Sequence, residues 1–130
     1  MKPERIRSEV ERSLLTSVEQ GIGEWPTSET PDDPEYGAPL YEYSGGLCRL
    51  TLFEAGVQDV SQQAVVRVAY ADVCRVVTLR LTELVRVSRN PEAMVDLVLQ
   101  RADASLRLPM PLKVYSTVST LLIRLTKQEE

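Results

Sequence analysis

The chain has 130 residues, 43% of them hydrophobic and 26% charged, with a net charge of −4. That suffices for one hydrophobic core without disulfide or metal staples, and no apolar run approaches the roughly 18–20 residues that crossing a bilayer requires. Histidine is absent and only two cysteines occur, Cys48 and Cys74, which excludes Ser–His–Asp and Cys–His catalysis and argues against a zinc site.

Residues 1–20 read as an amphipathic helix. Pro3 suits a first helical turn, and Ile6, Val10, Leu14 and Val18 recur at four-residue spacing, with Leu15 widening the stripe. Glu4, Glu9 and Glu11 complement the helix dipole, and Gly21-Ile22-Gly23 ends the element. So narrow a stripe must pack on something: its own domain, or a second copy of the chain, which leaves a homodimer open. The charged start, Met1-Lys2-Pro3-Glu4-Arg5, lacks the apolar stretch of a signal peptide. A reducing, cytoplasmic setting is therefore expected, with the pairing of Cys48 and Cys74 open should their strands be neighbours.

Residues 21–39 form an acidic, proline-rich connecting segment. Pro26, Pro31, Pro34 and Pro39 forbid continuous helix and discourage strand pairing. Residues 21–45 hold six acids (Glu24, Glu29, Asp32, Asp33, Glu35, Glu42) and no base, so the negative field sits on one stretch. Trp25 and Tyr36 lie within it, and aromatics in such a segment predict that part of it docks on the domain.

From residue 40 to 130 a two-residue period takes over. Leu40–Tyr43 and Cys48–Phe53 flank the turn Ser44-Gly45-Gly46, and Glu54-Ala55-Gly56 leads to a short strand over Val57–Val60. Ala64–Tyr70 reads as a strand, Asp72–Arg75 as a turn or single helical turn, and Val77, Leu79 and Leu81 as an alternating strand that Leu84–Val87 continues in extended form. After the turn Asn90-Pro91-Glu92, Val95–Leu99 and Ala104–Leu108 make a hairpin that Pro109 and Pro111 stop. A closing helix places Val114, Tyr115, Val118, Leu121, Leu122 and Leu125 inward, with Ser116, Thr117, Ser119, Arg124 and Lys127 towards water. Short strands joined by tight turns predict an α+β fold that is mainly antiparallel β.

Leu50-Thr51-Leu52-Phe53-Glu54-Ala55-Gly56-Val57, Val68-Ala69-Tyr70-Ala71-Asp72-Val73, the pair Asp96–Leu99 with Leu106–Pro109, and the helix Val114–Leu125 give an order that resembles the pleckstrin-homology-like family in its small bacterial form, over about 90 residues. The resemblance implies a bent barrel of about seven strands with a C-terminal capping helix, here preceded by the N-terminal helix. Phosphoinositide-binding members carry several bases between their first two strands. Here that loop is Ser44-Gly45-Gly46 with Arg49 the nearest base, which argues against lipid head groups and a membrane role. A secretion-chaperone-like α/β sandwich is the rival, but it inserts a helix mid-sheet, and Asp72–Cys74 is too short for one.

The chemistry that remains is sparse. Both cysteines sit in or beside apolar-alternating strands, which predicts burial over reactivity. Asp32, Asp33 and Glu35 cluster between prolines, where Asp32 and Asp33-Pro34 read as turn formers and the three neither as catalytic carboxylates nor as a calcium loop. Arg67, Arg80, Arg86 and Arg107 are expected on outward strand faces with few aromatics among them, which argues against nucleic acid. No cofactor or metal is implied. The expectation is a non-catalytic protein-interaction module whose partner is another protein with a basic surface, contacted through Trp25, Asp32, Asp33, Glu35 and Tyr36 and through an exposed strand edge. An immunity-type inhibitor of a basic toxin, a lipid-binding domain and an enzyme working through carboxylates and tyrosines stand as alternatives.

Overall fold

Helix α1 (Pro3–Glu19) begins with proline at its first position and closes on Gly21. The Ile22 N–H reaches the Ser17 carbonyl at 2.8 Å and the Gly21 N–H reaches Val18 at 3.0 Å, a Schellman closure that needs Gly21 at φ +84°. Ile6, Val10 and Leu14 are buried, as the spacing predicts, and the helix lies against the C-terminal helix and the first strand of the same chain. The computed structural model describes residues 2–45 and 47–126; Gly46 and Lys127, both read from the sequence, lie outside the described residues.

Two antiparallel sheets follow. The first has the order β1 (Pro39–Ser44), β2 (Cys48–Phe53), β3 (Gly56–Ser61), β4 (Val65–Ala69), and the second β5 (Arg75–Val77), β6 (Met94–Gln100), β7 (Ser105–Pro111). A 3₁₀ turn, Tyr70–Asp72, joins them, α2 (Leu81–Val87) interrupts the second, and α3 (Leu112–Thr126) closes the chain. The α+β, mainly antiparallel class expected from the sequence is present, with a C-terminal helix over the sheets. The sheets stay separate and do not close into one barrel.

Register fixes the faces. Leu50 and Leu52 of β2, Val57 of β3 and Val68 of β4 share the inner face of the first sheet; Leu97, Leu99, Leu108 and Met110 supply that of the second. Val114, Val118, Leu121 and Leu122 of α3 complete one core with α1. Arg124 of α3 donates to Ser13 Oγ at 3.2 Å and lies 3.9 Å from Glu9, which seals the two helices at the rim.

Several expectations are corrected. Residues 81–87 are helical, not extended, and β5 ends at Val77: Leu84 and Val87, at i and i+3, are the half-covered apolar residues of the helix, and the Glu83 carboxylate accepts the Arg80 N–H at 3.4 Å, starting a helix within what reads as alternation. The second sheet thus contains an inserted helix after all, starting nine residues after the start of the segment weighed for it, at Leu81 instead of Asp72. Pro109 and Pro111 do not stop the sheet. They lie inside β7, an edge strand, where the missing N–H groups can point away from the ladder. Ser119 is buried rather than wet. Cys48 is buried as expected, but Cys74 is exposed, because it precedes β5 instead of lying in a buried strand; both thiols are free.

Candidate functional site

The acidic segment is tied down at both ends. Near Trp25, Glu24 forms an isolated antiparallel bridge with Glu42 of β1, its N–H reaching the Glu42 carbonyl at 2.8 Å. The half-buried Trp25 ring stands edge-on to Tyr41, with centroids 6.3 Å apart, and the Tyr41 hydroxyl donates to the Ile22 carbonyl at 2.8 Å. Burial raises the Tyr41 phenol well above its ordinary pKa.

Farther along, Asp33 folds the loop on itself. Its Oδ1 accepts the backbone N–H groups of Glu35 at 2.8 Å and Tyr36 at 2.9 Å, while its main chain pairs with Gly37. The same Oδ1 accepts from Arg67 of β4 at 2.9 Å, and Glu35 lies 3.3 Å from that guanidinium. The Arg67 hydrogen bond, helped by the two backbone N–H groups and opposed by desolvation, holds the Asp33 carboxyl down at about 2. The same bond to Asp33 raises Arg67.

Tyr36 is the apolar half of this clamp. Its ring is buried, tilted against Phe53 at 6.1 Å, with the Arg67 guanidinium 4.7 Å from its centroid. Gly56 makes room for it: a Cβ there would come within 2.7 Å of the Val68 carbonyl oxygen and 2.8 Å of the Tyr36 ring. Glu54 adds a further tie, accepting the Ala38 N–H at 3.0 Å and pairing with Arg7 of α1 at 3.2 Å.

Of the five residues singled out from the sequence, Asp33, Glu35 and Tyr36 therefore meet around Arg67, Asp32 stands exposed beside them, and Trp25 packs separately on Tyr41. Two rings and two carboxylates, those of Trp25, Tyr36, Asp33 and Glu35, are engaged within the molecule, and Glu24, Glu29, Asp32 and Glu35 are exposed. Arg67 is the organising residue that sequence reasoning missed. Only its outward place in an alternating strand was visible, and that place is shared with many solvated arginines.

The strand bearing Arg67 is also an open edge. β1 is covered by the Glu24 bridge, β7 carries prolines, and β5 has three residues, whereas β4 pairs only with β3 and leaves Val65 61% exposed.

Inside, β3 carries an anomaly. Asp59 faces the core between Leu50 and Val66, is 1% exposed, and neither carboxylate oxygen has a hydrogen-bond partner. Burial first, and the charge of Asp96 second, push it up to about 7. Burial, reinforced by Asp59, likewise lifts the Cys48 thiol to about 11. No hydrophobic pattern announces this acid, which takes an inward position in an otherwise regular strand.

Among the described residues, no three Cys, Asp or Glu side chains gather as a metal-ligand set, and no helix is long and apolar enough to cross a membrane. Comparison of the chain with protein families, with curated proteins and with solved structures finds no match.

Proposed function

We propose that this protein is a non-catalytic protein-binding module that presents a preorganised acidic surface beside an open strand edge to a partner with a basic face. One observation carries the reading: Arg67, on the open-edge strand β4, also anchors the acidic loop through Asp33 and Glu35, so charge and edge form one continuous surface. A partner strand added to β4 gains main-chain hydrogen bonds, and basic side chains beside it meet Glu29, Asp32 and Glu35. Fixing the loop beforehand removes ordering entropy from the binding step. The acids Asp32, Asp33 and Glu35 serve turn geometry and charge rather than a reacting pair, which supports a binding role over a carboxylate enzyme. Four- and three-stranded antiparallel sheets with a closing helix likewise support the pleckstrin-homology-like reading of the fold.

The test is cross-linking in cells followed by affinity purification, comparing the wild type with E29Q/D32N/E35Q at low and high salt. The reading expects a partner retained at low salt and lost both at high salt and in the triple variant. Cross-links that ignore both the acids and the salt would overturn it.

A further inference from the structure

The face of the second sheet turned away from the core is neither flat nor bare. Val77 of β5 lies opposite Val98 of β6, and Met94, Asp96 and Val98 alternate outward along β6, with Arg107 of β7 opposite Val98. Helix α2 stands over this surface and encloses with it a cleft of about 410 Å³, within the range of small-molecule sites. The apolar part of the lining comes from Val77, Leu79, Val98 and Met94, with Asp96 between the last two, and α2 adds Val87 from above.

Three guanidiniums, those of Arg80, Arg86 and Arg107, line the same space with two carboxylates, Glu83 and Asp96. Both carboxylates are already engaged. Asp96 accepts from Arg107 at 3.5 Å, and Glu83 turns back to the Arg80 N–H. Among the described residues, Arg80 and Arg86 have no carboxylate within ion-pair distance. A chain of net charge −4 thus keeps two unpaired cations beside the apolar stretch of this cleft.

The roof is under-packed as well. No residue of α2 is buried: Leu84 and Val87 are half-covered, while Leu81 and Val85 are 76% and 66% exposed. A seven-residue helix holds its shape in water only through what it covers. Apolar matter in the cleft would cover Val87 and the β6 floor together and complete that contact.

We propose that this cleft binds a small amphipathic anion, a carboxylate or phosphate head on an apolar tail, with the head at Arg80 and Arg86 and the tail along Val77, Val98 and Met94. Arginine is suited to such heads because its planar fork donates two parallel hydrogen bonds to paired oxygens. The site lies on the opposite sheet from the acidic loop, so its fate and that of the protein-binding surface are decided separately.

The test is isothermal calorimetry on the full chain with dodecanoate and dodecyl phosphate below their micelle concentrations, against dodecyltrimethylammonium and acetate. One-to-one binding of an anionic amphiphile is expected, about tenfold or more tighter than the cation of equal tail, with acetate silent. Preference between dodecanoate and dodecyl phosphate assigns the head group. R80E/R86E changes only exposed side chains and should weaken the anion about tenfold or more while retaining the wild-type circular dichroism and melting profile. M94D, at the mouth of the floor, should weaken both anions through the tail. Equal binding of the cation, multiple non-saturating sites, or undiminished affinity in R80E/R86E would overturn the proposal. So would an acidic amphipathic peptide that saturates the cleft where both alkyl anions fail.

Discussion

Arg67 donates to Asp33 Oδ1 across 34 residues of sequence at 2.9 Å, and that one oxygen also gathers the N–H groups of Glu35 and Tyr36. A single carboxylate thereby sets both the shape of the loop and its attachment to the sheet. Replacing Arg67 by Ala should free residues 27–37, read as faster amide exchange and proteolysis there with the sheet amides unchanged. Asp33→Asn should show the same pattern, because the amide keeps the turn but loses the charge that Arg67 answers. The pH sign follows from a depressed carboxyl: the contribution is present above the unfolded value of 3.8 and is lost as pH falls through about 2. Loop protection that is identical in R67A and wild type would remove the clamp.

Asp59 acts in the opposite direction. Its folded pKa of about 7 lies above the ordinary 3.8, so its contribution is complete below 3.8 and drains away as pH rises towards 7. The loss amounts to about 4 kcal/mol once the group is ionised, an order-of-magnitude figure for a shift of that size. Asp59→Asn should therefore be more stable than wild type at pH 8 and gain little at pH 4. Urea titrations at both values check it, and parallel stability curves for the two proteins would refute it.

Gly56 should resist substitution. Ala at this position drives a methyl group against the Val68 carbonyl and the Tyr36 ring, at an expected cost of about 1–3 kcal/mol. The same change should release Tyr36, so loop exchange and global stability are expected to shift together. A neutral G56A in denaturant titration contradicts this geometry.

Leu14 tests whether α1 belongs to the core. It is fully buried between the sheet and α3, and Leu14→Ala should cost about 2–5 kcal/mol, whereas Leu15→Glu on the wet side should fall within about 0.5 kcal/mol of wild type. A reversal of the two would mean that α1 docks by its other face.

The two thiols should separate kinetically. Cys74 is exposed and should react promptly with a disulfide reagent under native conditions. Cys48, buried and held at about 11 mainly by desolvation, should react only at the rate of opening. Simultaneous labelling would mean that β2 frays.

The parts legible in the sequence were those with one dominant period. Ile6, Val10 and Leu14 announced α1, and the alternation through Cys48, Leu50 and Leu52 announced β2 with its inner face. Residues 77–87 defeated the same logic, since Val77, Leu79 and Leu81 satisfy a strand while Leu84 and Val87 satisfy a helix. Tertiary placement over the second sheet decides between them. Pro109 misled because its effect depends on whether a strand is central or marginal, which no local pattern records. For the site, the acids of the loop were visible and their anchor was not: the pairing of Asp33 with Arg67 exists only after β4 is in register with β3. The basic cleft needed α2, so it stayed hidden with that helix.

The seam between α1 and α3 has a temporal consequence. Ser13 and Arg124 are 111 positions apart, so α1 meets this neighbour only after both intervening sheets have been made. Until then α1 has only β1 to pack on, and the part of its apolar face that α3 covers stays without its partner. A nascent chain stalled before residue 112 should thus remain chaperone-bound, however complete its sheets.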